Sequence, residues 1–94
     1  MMIEHIVLVK FKDVTEEQLN GAVDLLTKLR DIPGVIDAQA GISMKRDHYD
    51  IGLTVRFEDE ESLKNYGPHP KHQEVVAYLT EVGVKDLKVV DFEI

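Results

Sequence analysis

The segment Met2 to Phe11, Met-Ile-Glu-His-Ile-Val-Leu-Val-Lys-Phe, carries apolar residues on both alternating sets of positions. Ile3, Val7, Val9 and Phe11 share one set, and Met2, Ile6 and Leu8 the other. Successive side chains of a strand point to opposite faces, so a strand of this kind needs cover on both. The requirement is severe because the chain has only 94 residues with which to meet it. That length holds one small core, and residues 1–94 read as a single domain.

The rest of the chain supplies cover for one face only. Thr15-Glu16-Glu17-Gln18 is a capping box, and Leu19, Ala22, Val23, Leu26 and Leu29 follow at helical spacing until Pro33-Gly34. Val35 to Met44 alternates, with Ile36, Ala38, Ala40, Ile42 and Met44 on one face. After the polar turn Lys45 to His48, Tyr49 to Phe57 alternates again, which predicts a hairpin. Asp59 caps a short helix that runs through Tyr66, and Gly67-Pro68 interrupts it because a proline disfavours helical geometry in the residue before it. Pro70 opens a further helical segment, with Val75, Val76, Leu79 and Val82 inward and Gly83 as its cap. Leu87 to Ile94 alternates as the fourth strand. This order predicts an α+β fold, a ferredoxin-like βαββαβ sandwich whose second helix is broken. Helices on one side of a four-stranded sheet leave the other side bare, and a second copy of the sheet is the simplest cover. The expected partner is therefore the chain itself, in a homodimer joined sheet to sheet to close an α/β barrel.

Charge narrows the other partners. Eleven Lys and Arg against 18 Asp and Glu leave a net charge of −7, and no basic run exceeds Lys45-Arg46. Nucleic acid and anionic membrane surfaces are recognised through clustered positive charge, so neither is expected as a partner. The absence of Cys excludes disulfides, thiol nucleophiles and zinc knuckles. Near the N-terminus the longest apolar run is Ile6 to Val9, shorter than a signal peptide core or a membrane span, and the expected location is the cytoplasm.

Chemistry concentrates in Tyr66-Gly67-Pro68-His69-Pro70-Lys71-His72. The helix break frees Tyr66 and His72 from fixed helical spacing, so both can turn toward one space. A neutral imidazole accepts a proton at neutral pH, and a phenol can donate a hydrogen bond to a developing enolate oxygen. Tyr66 and His72 are the candidate catalytic pair; the same residues serve equally as an amphipathic core tyrosine and a helix-start histidine. His5 shares a parity with Val7 and Val9 in the most apolar strand, so it is either hydrogen-bonded in the core or lines a cavity. Val7, Val9, Val23 and His69 are the other candidate pocket residues, and His48 reads as solvent-facing. His69 and His72 are three residues apart, but Pro70 intervenes and no third ligand has a fixed spacing, so no metal and no cofactor is expected.

The opening Ile3 to Lys12, the segment Val55-Arg56-Phe57-Glu58-Asp59, the Tyr66 to His72 element and the closing Val90-Asp91-Phe92 together resemble the stress-responsive dimeric α/β-barrel family over essentially the whole chain. The resemblance implies a ferredoxin-like protomer whose sheet meets its twin. In plant polyketide cyclases of this fold the tyrosine and second histidine form the catalytic pair and the strand-one histidine lines the pocket, which implies those roles for Tyr66, His72 and His5. Where such cyclases carry bulky aromatic walls on the first helix, this chain has Ala22, Val23 and Leu26, and it has no Trp. Two functions follow as expectations: a cofactor-free cyclase or isomerase acting on a small apolar carbonyl compound, or a non-catalytic stress-response or assembly domain in which the same residues are structural.

Overall fold

The computed structural model describes residues 1–94. The elements are β1 (Ile3–Phe11), α1 (Glu16–Thr27) continued by a 3-10 turn (Lys28–Asp31), β2 (Val35–Ile42), β3 (Ile51–Phe57), α2 (Glu60–Tyr66), α3 (Pro70–Val82) and β4 (Val84–Glu93). All strand pairs are antiparallel in the order β2-β3-β1-β4, which puts the doubly apolar β1 in the interior of the sheet. The helices cover one face, where Val9, Phe11, Val55 and Phe57 pack with Leu19 and Leu26 in a single buried cluster. This is the ferredoxin-like α+β fold.

The local signals act as the sequence predicts at most boundaries. The Thr15 hydroxyl accepts from the Gln18 amide at 3.1 Å while the Gln18 side chain accepts from the Thr15 amide at 3.0 Å, completing the capping box. Asp59 accepts from the Ser62 amide at 2.8 Å at the start of α2. The helix break differs in detail. Gly67 itself keeps helical angles, φ −53° and ψ −51°, and the chain leaves the helix at His69, where ψ is 138°. Without a Cβ, glycine escapes part of the clash that the next proline imposes.

Three strand expectations are corrected. The register shifts between Val35 and Asp37, so Ile36 leaves the buried parity of Ala38 and is 49% exposed. β2 stops at Ile42 and β3 starts at Ile51, which leaves Met44 and Tyr49 in the intervening loop, and β4 starts three residues early at Val84. The loop is short of strand because Asp50 ties it elsewhere. Asp50 is 1% exposed, and its side chain accepts from the Phe11 amide at 2.8 Å, from Arg46 Nε at 2.7 Å and from Lys10 Nζ at 3.3 Å.

One turn depends on glycine. Gly34 has φ +89°, and a Cβ there would lie 2.6 Å from Ser62 Cβ, whose hydroxyl is itself held by Asp59. Gly34→Ala is therefore expected to cost about 1–3 kcal/mol, read as a lower melting temperature; an unchanged midpoint would contradict the assigned turn.

Candidate functional site

A cavity of about 240 Å³ lies between the sheet and the helical layer. Its floor is Val7, Val9 and Leu53 of the sheet, and its roof is Leu26, Leu29, Val75 and Leu79 of the helical layer. At the mouth Val76 of α3 and Leu87 and Val89 of the edge strand β4 are exposed. The remaining three lining residues are His5, Tyr66 and His72.

These three form one stack. The Tyr66 ring centroid lies 5.7 Å from that of His5 and 4.5 Å from that of His72, and Phe57 closes a further edge at 4.9 Å. β1 delivers His5, the end of α2 delivers Tyr66, and the first turn of α3 delivers His72; the break at Gly67 to His69 lets the two helical residues face each other.

Hydrogen bonding fixes what each group offers. His72 Nδ1 lies 2.9 Å from the Gly67 carbonyl, which can only accept, so Nδ1 carries the proton. In the neutral ring Nε2 then holds a free lone pair. Burial favours that neutral form and moves the His72 pKa down, aided by nearby His5 and opposed by the Gly67 bond. Tyr66 is only 3% exposed, and burial, with the negative charge of Asp91 behind it, moves its pKa far up, so the phenol keeps its proton. Its hydroxyl has no hydrogen-bond partner within the chain, yet it is not sealed from access. His5 Nδ1 donates to an Asp91 carboxylate oxygen, which orients the ring and leaves its Nε2 as an acceptor when neutral.

The structure thus brings together His5, Val7, Val9, Tyr66 and His72. Two expected pocket residues lie elsewhere. Val23 packs half-buried against the rim of the core, about 100° round α1 from Ala22, while Leu26 and Leu29 take the cavity wall. His69 caps α3, its Nδ1 accepting from the Lys71 amide at 3.1 Å, and it borders a separate depression with Pro33, Ser62 and Asn65. Asp91 was missed by sequence reasoning, although a signal existed: it shares a parity with Leu87 and Val89, and antiparallel pairing sets it directly opposite His5. No group of three or more His, Asp or Glu side chains converges as metal ligands would, and no helix is long and apolar enough to cross a membrane.

Comparison with solved structures agrees with this architecture. A dimeric ferredoxin-like protein of unknown function from Thermobifida fusca is 26% identical, with a TM-score of 0.89 over 100% of this chain and 92% of that one. A dimeric protein of unknown function and ferredoxin-like fold from Bacteroides fragilis is 25% identical, with a TM-score of 0.80 over 99% and 96%. A hydroxynitrile lyase from Passiflora edulis has a TM-score of 0.82 over 99% and 93%, but its 15% identity carries the fold alone. No curated protein matches the chain significantly. The profile of the stress responsive A/B barrel domain matches residues 3–94. With its strand order, its broken helix and this match over nearly its full length, the chain belongs to the stress responsive A/B barrel domain (Dabb) family.

Proposed function

We propose that the chain is a cofactor-free acid–base catalyst of the cyclase or isomerase type, acting on a small apolar carbonyl compound and working as a homodimer. One observation carries the catalytic reading: the His72 Nδ1 bond to the Gly67 carbonyl leaves Nε2 of the neutral ring unprotonated, on a ring whose centroid lies 4.5 Å from that of the Tyr66 phenol in the lining of an apolar cavity. His72 Nε2 removes a proton from the carbon next to the carbonyl, and the electron pair moves to oxygen as an enolate. The Tyr66 hydroxyl stabilises that oxygen by a hydrogen bond. The enolate carbon then attacks a second carbonyl of the same molecule, closing a ring as that carbonyl's electron pair moves to its oxygen, and the imidazolium gives its proton to the new alkoxide; alternatively the imidazolium returns the proton to another carbon, giving an isomer. The apolar walls strengthen each of these interactions by excluding water. The dimeric state of the Thermobifida fusca and Bacteroides fragilis proteins and the uncovered apolar side chains on the far face of the sheet support the homodimer.

A purely structural assembly role would use Tyr66 and His72 to tie the broken helix to the sheet by hydrogen bonds, whereas His72 bonds the Gly67 carbonyl within the helical layer. The Tyr66 hydroxyl has no hydrogen-bond partner on the sheet, which favours the catalytic reading. Solvent deuterium exchange into the α-carbons of alkyl methyl ketones, followed by proton NMR, tests it. Exchange above the buffer rate is expected, with the acid limb of its pH profile below the ordinary His value of about 6.5, because the neutral form of His72 is the active one and its pKa is lowered. Exchange at the buffer rate throughout the pH range would favour the assembly domain, and a limb above that value would assign another base.

A further inference from the structure

Gly41 and Gly52 stand directly opposite one another across β2 and β3. Neither has a reason within the chain to be glycine. The only positive φ values belong to Gly34 and Gly83, and a Cβ built on Gly41 or Gly52 would meet nothing within 4 Å. Glycine inside a strand gives up side-chain packing and raises the entropic cost of folding, so it marks a place where another backbone or side chain comes close. A directly paired set of two, with open space above both, points outside the protomer.

Their surroundings indicate what comes close. Gly52 also pairs with Leu8 of β1, so Gly41, Gly52 and Leu8 form the floor of an open recess of about 680 Å³ beside the loop after β2. This recess is on the sheet face away from the helices. On the same face β4 raises Val90 and Phe92, paired to Ile6 and Glu4 of β1, and these two side chains are 52% and 43% exposed. One side of the face is thus raised and apolar at Val90 and Phe92, beside Lys88, and the other holds a hollow floored by glycine and walled by Lys45, Asp47 and His48. Two such faces interlock when the raised side of each copy lies over the hollow of the other, which is the self-complementary arrangement a two-fold axis requires.

We infer that the Gly41–Gly52 recess is a socket in the homodimer interface, filled by the apolar β4 side chains Val90 and Phe92 of a second copy of this chain. The inference rests on the homodimer proposed above and goes beyond it by fixing which parts of the two faces meet. Valine is a better strand residue than glycine and has room in the isolated protomer, so Gly52→Val and Gly41→Val should keep the circular dichroism spectrum of the wild type. In analytical ultracentrifugation each is expected to raise the dimer dissociation constant at least ~10-fold, with Gly52→Ala intermediate and Phe92→Ala reproducing the loss from the other side. A dimeric wild type whose Gly52→Val, Gly52→Ala and Phe92→Ala variants dimerise with unchanged dissociation constants would overturn the socket alone. A wild type that is monomeric at micromolar concentration would overturn the homodimer and the socket with it. If Gly52→Val failed to fold, Gly52→Ala and Phe92→Ala decide in the same way.

Discussion

Replacing Asp50 by Ala is expected to lower stability by about 2–4 kcal/mol, a fall in melting temperature of roughly 10–25 °C for a domain of this size. The carboxylate is buried and has three donors, the Phe11 amide, Arg46 and Lys10. Its removal leaves the Phe11 amide without its partner inside the core edge and releases the loop that joins β2 to β3. Both cations keep some contact with water, which holds the cost below that of a fully sealed pair. Asp50→Asn retains an oxygen for the Phe11 amide and should fall between the two. A melting temperature within about 3 °C of wild type for Asp50→Ala would contradict the structural role. The same site sets an acid limit. Burial alone would push the Asp50 carboxyl up, but the Phe11 amide, Arg46 and Lys10 outweigh it and hold the pKa below the ordinary Asp value. A group depressed on folding contributes stability above its unfolded pKa and loses it as pH falls through the folded one, so this contribution should persist at pH 5 and disappear only below about pH 4.

His72→Ala should reduce proton exchange or turnover about 10²–10⁴-fold, the usual contribution of a positioned general base. Tyr66→Phe should cost about 10²–10³-fold, as for loss of one oxyanion donor. The second variant separates catalysis from structure sharply. Its hydroxyl makes no bond within the chain, so Tyr66→Phe should melt within about 0.5 kcal/mol of wild type while losing activity. Full activity in both variants would remove these residues from the mechanism. A large loss of stability in Tyr66→Phe would instead mean that the phenol is bonded within the fold.

Much of this arrangement is legible in the sequence because it is local. The capping box at Thr15, the parity of His5, the cap at Asp59 and the Pro70 helix start are short-range signals, and each delivers its element in place. The convergence of Tyr66 and His72 follows from the interruption between them. Legibility fails where a single shift or a distant partner decides. One bulge moves Ile36 out of the buried parity. His69 is near the right space but spends its ring on the amide of Lys71, and Val23 lies three residues before the wall residue Leu26. Asp50 and Asp91 look like ordinary charges in a chain rich in them. Their meaning comes from partners 39 and 86 positions away, Phe11 and His5, which only sheet register brings into contact.

Ring-nitrogen NMR shifts of His72 test most directly whether this cavity holds a base ready to act. A neutral ring protonated at Nδ1 and bare at Nε2 is expected at pH 7, persisting below pH 6.5 because the pKa is lowered. A proton on Nε2, or a charged imidazolium at pH 7, would leave no lone pair on Nε2 to act as the base and would contradict the proposed chemistry.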